Sequence, residues 1–206
     1  MRNGHTESLN RRRKSTSYHK MNNPLDTRFF DRAVAFATQA HSGTERRGKG
    51  YPYIIHPMEA VSIVASLTND PEMLVAAMLH DTVEDTEVTI EQIRGQFGDR
   101  VADLVQHETA PLHDDAPWRT RKEAQLAQLV QAPYDSKVVA MGDKLSNMRA
   151  LAADYRMIGD QLWSRFHAPN GKSDIAWYYH SLAEALSELS GTAAYQEFVD
   201  LIHETF

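Results

Sequence analysis

Apolar positions in this chain recur with the period of a helix. Phe29, Phe30, Ala33, Phe36, Ala37 and Ala40 follow the i, i+3, i+4, i+7 spacing of one buried helix face, in a segment that begins at Asp26. Gly43, Gly48 and Gly50 then interrupt the pattern and mark a loop that carries Arg46, Arg47 and Lys49. A second helix is predicted from Pro57 through Ala60, Val61, Val64 and Leu67. Asp70-Pro71 has the form of an N-cap followed by a first-turn proline, opening a third helix that runs through Leu74, Val75, Ala77 and Met78 to His80-Asp81. Thr89 and Gln92 have the spacing of a capping box, and Gly98 separates their helix from one built on Val101, Leu104 and Val105. Residues 108–117, with two prolines and two aspartates, read as a loop. Further helices are predicted over Trp118–Gln131, Ser136–Ala153 and Ser173–Leu189, with a short terminal one from Ala193. No alternating run of β-branched residues stands out, so the predicted class is all-α.

Residues 1–23 lack periodic apolar positions and are predicted to be a disordered basic tail, read as solvated, with Arg11, Arg12, Arg13 and Lys14 in it. The ordered pattern starts just after Met21, which makes that residue a candidate start. The remaining chain, 24–206, is expected to be one domain, a length that supports a real core.

Composition narrows the chemistry. A net charge of -6 argues against nucleic acid as the main partner, and means that an anionic substrate needs a local basic patch. There is no cysteine, so disulfides and thiolate metal sites are excluded, and any metal site must use His, Asp and Glu. No apolar run approaches the roughly 20 residues that span a bilayer, and no apolar stretch follows the basic run as in a secretory signal. A cytoplasmic protein with no membrane partner is expected.

The richest segment is His80-Asp81-Thr82-Val83-Glu84-Asp85, directly after the apolar stretch 74–79. On a continuous helix, His80 would stack on Glu84 and Asp81 on Asp85, with looser stacking if the helix ends inside the motif. A second His-Asp pair, His113-Asp114, lies in the proline-rich loop and is read as a chance occurrence. Two other residues can complete a site. His56 follows Tyr51-Pro52-Tyr53-Ile54-Ile55, and Asp143 sits in an apolar context where an unpaired carboxylate is costly to bury. Asn147 follows Asp143 at i+4 and shares its face. Two imidazoles and two carboxylates suit Zn, Mn or Fe(II), and Glu84 and Asp85 could orient or deprotonate a bound water. Taken singly, His56 is a capped loop histidine, Asp143 a salt-bridge partner of Lys144 or Arg149, and Glu84-Asp85 a solvated acidic turn. Only the set points to a metal centre.

The order and spacing of Ala40-His41-Ser42-Gly43, Arg46-Arg47, Pro52-Tyr53-Ile54-Ile55-His56-Pro57, Leu79 to Asp85, and Gly142-Asp143-Lys144-Leu145-Ser146-Asn147-Met148-Arg149 resemble the HD-superfamily hydrolase module of the Rel/Spo alarmone enzymes. The resemblance implies an HD-domain helical bundle with one Mn²⁺ in the core cleft, held by His56, His80, Asp81 and Asp143. It gives Glu84 and Asp85 the attacking water. Arg46, Arg47, Lys144 and Asn147 would lie at the guanosine nucleotide, with Tyr178, or its neighbour Tyr179, near the ribose. The implied reaction removes the 3′-diphosphate of guanosine 3′,5′-bis(diphosphate) to give GDP or GTP and pyrophosphate. The 17 or so residues after position 189 are too few for a synthetase domain, so the expectation is a stand-alone small hydrolase. Two alternatives stand beside it. One is a phosphohydrolase of another nucleotide, such as NADPH or a nucleoside phosphate. The other is a catalytically silent HD scaffold that senses a nucleotide or binds a protein.

Overall fold

The structure is a computed structural model that describes residues 26–111 and 115–206. The predicted basic tail, the candidate start at Met21 and the His113-Asp114 pair lie outside the described residues. The described chain is helical: α1 (Arg28–Ala40), α2 (Ile55–Ala65), α3 (Pro71–Leu79), α4 (Thr82–Asp85), α5 (Ile90–Phe97), α6 (Asp99–Glu108), α7 (Trp118–Gln131), α8 (Tyr134–Ile158), α9 (Lys172–Ala185) and α10 (Ala193–Thr205). Two short 3-10 segments, Gly159–Arg165 and Ser187–Leu189, follow α8 and α9. No strand occurs among the described residues, only an isolated antiparallel bridge between Glu45 and Pro52 that closes the glycine-rich loop. No described helix is long and apolar enough to cross a membrane.

Local chemistry sets most boundaries. Asp70 Oδ1 accepts from the backbone N–H of Glu72 (2.9 Å) and Met73 (3.4 Å), with Pro71 behind it, as expected for an N-cap. Thr89 and Gln92 form the reciprocal capping box. The second helix starts two residues earlier than predicted, at Ile55, so that Pro57 occupies its first turn, where a missing N–H costs nothing.

The third helix ends inside the His80–Asp85 motif, the case in which the stacking is looser. It ends at Leu79, and a one-turn helix resumes at Thr82. His80 Nδ1 takes the Ala77 carbonyl (2.8 Å) and Thr82 Oγ1 takes that of Leu79 (2.6 Å), two acceptors that a continuous helix would give to backbone N–H groups. The backbone nonetheless keeps helical angles at His80 and Asp81, and Asp85 N–H still reaches the Asp81 carbonyl (2.9 Å).

The long helix α8 is the floor of the domain. Val138, Val139, Ala140, Met141, Leu145 and Met148 are all buried on it. Gly142 lets α2 approach closely: a Cβ at that position would lie 2.7 Å from the Ala60 carbonyl oxygen and 2.7 Å from Val64 Cγ2. This contact brings His56, on the first turn of α2, against Asp143 and Ser146 on α8. α3 packs on both α2 and α8, which carries His80 to the same point.

Candidate metal centre and cleft

Four side chains from separated parts of the sequence converge at the end of α3. His56 Nε2 and His80 Nε2 lie 3.3 Å apart. Asp81 Oδ2 is 3.3 Å from the first and 3.0 Å from the second. Asp143 Oδ1 is 3.1 Å and 3.6 Å from the same two nitrogens. His56, His80 and Asp81 form the tightest group, and Asp143 adds its oxygen from α8.

The remaining atoms of both imidazoles are committed. His56 Nδ1 lies 2.8 Å from Ser146 Oγ, which itself donates to Glu59 Oε2 (2.7 Å), so Nδ1 is the donor. His80 Nδ1 donates to the Ala77 carbonyl. With Nδ1 of both rings committed as a donor, Nε2 of each is the nitrogen turned to the common point. Burial raises the Asp81 carboxyl, but His80 and His56 outweigh it and hold it well below the usual carboxylate range. Asp143 is likewise raised by burial and held far lower by Lys144, His56 and His80. Burial lowers the His80 imidazole, yet Asp81 and Asp143 lift it well above the ordinary histidine value. Two nitrogen lone pairs and two ionised carboxylates facing one point fit a divalent cation of borderline or hard character.

Around this centre lies a cleft of about 690 Å³. Glu84 and Asp85 open into it; partial burial, and then the Asp81 charge, push both carboxyls above their usual range. Glu84 Oε2 accepts from the Ala110 N–H (3.3 Å). Arg46, Arg47, Lys49, Arg121, Lys122, Lys144 and Arg165 all line the cleft, which is the local basic patch that the chain's net charge of -6 demands. The structure therefore brings every predicted site residue, with the exception of fully buried His80, to the cleft lining, and places His80 directly behind it.

Some of these residues also bond to one another. Asn147 donates to Asp143 and accepts from Arg46 Nη2 (2.5 Å), joining the loop to α8. Lys144 is held by Asp143 and by Glu108 (3.4 Å). Arg149 pairs with Glu59 and Glu197 instead of Asp143. Tyr178 lies on the cleft wall with its hydroxyl 3.3 Å from Gln125 Oε1, whereas Tyr179 packs on Phe198 and Phe206.

Four residues were missed as site residues. Tyr53 donates to Asp81 Oδ2 (2.7 Å), stacks on buried His41 with ring centroids 4.8 Å apart, and carries Arg46 over its ring at 5.3 Å. Ser146 and Glu59 orient His56, and Glu108 is a buried carboxyl, raised by desolvation, beside Lys144. Tyr53 and Ser146 stand inside motifs already singled out, but only their places across helices give them a role.

A model of the HD domain matches residues 33–167, which contain all four converging residues. The chain belongs to the HD domain family. Within the family it is 36% identical over 131 residues to the guanosine-3′,5′-bis(diphosphate) 3′-pyrophosphohydrolase of Aquifex aeolicus (strain VF5), a match covering 62% of this chain and 18% of that relative. It is 36% identical over 127 residues to the bifunctional (p)ppGpp synthase/hydrolase SpoT of Escherichia coli (strain K12), covering 59% of this chain and 18% of SpoT. The chain thus spans under a fifth of the length of these curated relatives. Among solved structures, the HD fold matches that of a metazoan SpoT ortholog with a TM-score of 0.71 at 20% identity, over 88% of this chain and 98% of that one. It also matches lmo0812 of Listeria monocytogenes EGD-e with a TM-score of 0.63 at 30% identity, over 71% of this chain and 96% of that one.

Proposed function

We propose that residues 24–206 form a cytoplasmic, Mn²⁺-dependent phosphohydrolase that removes the 3′-diphosphate of guanosine 3′,5′-bis(diphosphate), releasing pyrophosphate and GDP, or GTP when the 5′ end carries a third phosphate. The observation that carries the proposal is the convergence of His56, His80, Asp81 and Asp143 on one point at the floor of a cleft rich in Arg and Lys. The similarity to relatives named as 3′-pyrophosphohydrolases of this nucleotide selects the substrate.

His56, His80, Asp81 and Asp143 would hold the cation. When bound, it neutralises phosphoryl charge and acidifies water. The protein's own groups do the rest. Glu84 and Asp85 orient the attacking water, and a carboxylate oxygen of Glu84 takes its proton. The bond between the phosphorus and the ribose 3′ oxygen breaks, and that oxygen leaves as a hydroxyl, taking up through the cleft the proton that Glu84 removed from the water. Tyr53 holds the Asp81 carboxylate, and Ser146 with Glu59 holds the His56 ring, so neither ligand must reorganise during the reaction. Arg46, Arg47, Lys144, Asn147 and Tyr178 form the nucleotide site; Arg46 is positioned by Asn147 and by the face of Tyr53.

The test is pyrophosphate release from guanosine 3′,5′-bis(diphosphate) by the metal-free protein supplied with Mn²⁺, with a chelator control. Turnover of NADPH or a nucleoside phosphate without that release would assign the site to another nucleotide. A folded protein that binds no divalent cation would leave a silent scaffold.

A further inference from the structure

The cations of the cleft are not equivalent. Lys49 Nζ is bound to Asp154 (2.5 Å) and the Ala150 carbonyl (3.3 Å), and Arg165 also reaches Asp154 (3.6 Å). Lys144 is held by Asp143 and Glu108. Arg46 is turned to Asn147. Lys122, on the second turn of α7, has a different environment. Its Nζ donates to the neutral Gln125 Oε1 (2.8 Å) and lies 4.7 Å from the centroid of the Tyr178 ring. Among the described residues no carboxylate lies within ion-pair distance of it.

An ammonium offers three N–H donors, and Gln125 Oε1 occupies one of them. The Gln125 oxygen and the Tyr178 ring hold the nitrogen at the cleft wall, since Tyr178 also bonds to Gln125. Burial, and then the like charge of Lys144, lower its pKa to about 8. A partly buried ammonium with spare donors, and no carboxylate of the described residues within ion-pair distance, is stabilised by an anion that arrives in the cleft.

Position selects which anion. Gln125 and Tyr178, which hold Lys122, line one small pocket together with Lys144 and Glu108, beside Asp143 at the metal-centre end of the cleft. Ala150 and Asp154, which bind Lys49, lie 7 and 11 residues further along α8, or about 10 and 16 Å away along its axis. The cleft therefore has two cationic ends, and a bis(diphosphate) has two anionic ones. We propose that Lys122 binds the diphosphate that is cut off, holding it at the metal-centre end, while the loop at 46–49 receives the phosphates that stay on the nucleotide. This assignment rests on the function proposed above.

The test compares product inhibition and chemical protection in the Mn²⁺-loaded protein. Lys122→Met raises the Ki of pyrophosphate and the KM of guanosine 3′,5′-bis(diphosphate) by about tenfold or more, leaves the Ki of GDP within about twofold, and keeps the metal content. Lys122→Arg recovers most of the pyrophosphate affinity. In the wild-type protein, pyrophosphate protects Lys122 from acylation by acetic anhydride, read by peptide mass spectrometry, and GDP does not. An unchanged pyrophosphate Ki, an equal loss of GDP and pyrophosphate binding, or no protection of Lys122 overturns the proposal. The protection experiment holds even if Lys122→Met does not fold. Wild-type protein that binds pyrophosphate through Lys122 but releases none from the alarmone would reject the substrate and keep the anion site.

Discussion

The Nε2 atoms of His56 and His80 face each other at 3.3 Å, and neither ring can turn away, because Ser146 Oγ and the Ala77 carbonyl hold the two Nδ1 atoms. A proton can relieve this meeting of lone pairs only at one ring, and the carboxylates of Asp81 and Asp143 keep such a proton on His80 well above the ordinary histidine pKa. The sign of the linkage follows. The metal-free site carries that proton at neutral pH, and a cation that needs the neutral imidazole must displace it. Binding of Mn²⁺ at pH 7 is expected to release about one proton per ion, to weaken as pH falls, and to raise the unfolding temperature. Calorimetric titration in two buffers of different ionisation enthalpy measures the release. His80→Ala should abolish both the release and the thermal shift; buffer-independent heats with no stabilisation would reject the metal centre.

Ser146 acts one bond behind the metal centre. Its hydroxyl donates to Glu59 and accepts from His56, so it fixes which imidazole nitrogen carries hydrogen. Ser146→Ala keeps the helix and the volume but lets the ring change tautomer. Loss of such an orienting partner costs about 10–100-fold in metal affinity. Competition against a fluorescent chelator reads the change directly. Unaltered affinity in the variant would mean that packing alone orients His56.

Gly142 is the point of closest approach between α2 and α8. A methyl group there meets the Ala60 carbonyl oxygen and Val64 Cγ2 at 2.7 Å, and one of those two is backbone, which cannot step aside. Gly142→Ala should gain helix propensity of about 1 kcal/mol and lose more than that through overpacking of about 1–3 kcal/mol or above. It should also move α2, and with it His56, away from Asp143. The expected result is a lower urea midpoint together with weaker metal binding; a more stable protein would show that the helices can separate without cost.

The parts of the fold legible in the sequence are those fixed within a few residues. Asp70-Pro71, Thr89 with Gln92, and the boundaries of Trp118–Gln131 depend on caps and periodicity that one helix carries by itself. The sequence left open whether the helix ends inside His80–Asp85, because the break depends on which side chain wins the Ala77 and Leu79 carbonyls. The 3-10 segment at Gly159–Arg165 went unassigned, as did the extra turns of α8 beyond Ala153. At the site, His56 and Asp143 stand out because an imidazole and a carboxylate in apolar surroundings are conspicuous. Ser146 and Tyr53 are ordinary residues in any helix or loop. They acquire a role only when α2 and α8 are assembled around the cleft.

Glu84 offers the sharpest separation of binding from chemistry. It stands at the cleft beside Asp85, bonded through Oε2 to the Ala110 N–H, and burial followed by the Asp81 charge raises its carboxyl. Glu84→Gln keeps the size of the side chain and an oxygen for Ala110, but the amide cannot take a proton from water. Metal content and KM should stay near wild type, while kcat falls by about 10²–10⁴, the usual range for loss of a general base. The pH profile gives a second readout. A glutamate acting as base must be ionised, so wild-type kcat should decline as pH falls through a value above the ordinary glutamate range. That acid limb should vanish from the residual activity of the variant. Full turnover by Glu84→Gln, or an acid limb that survives the substitution, would move the base to Asp85 and leave Glu84 as a carboxylate that shapes the cleft.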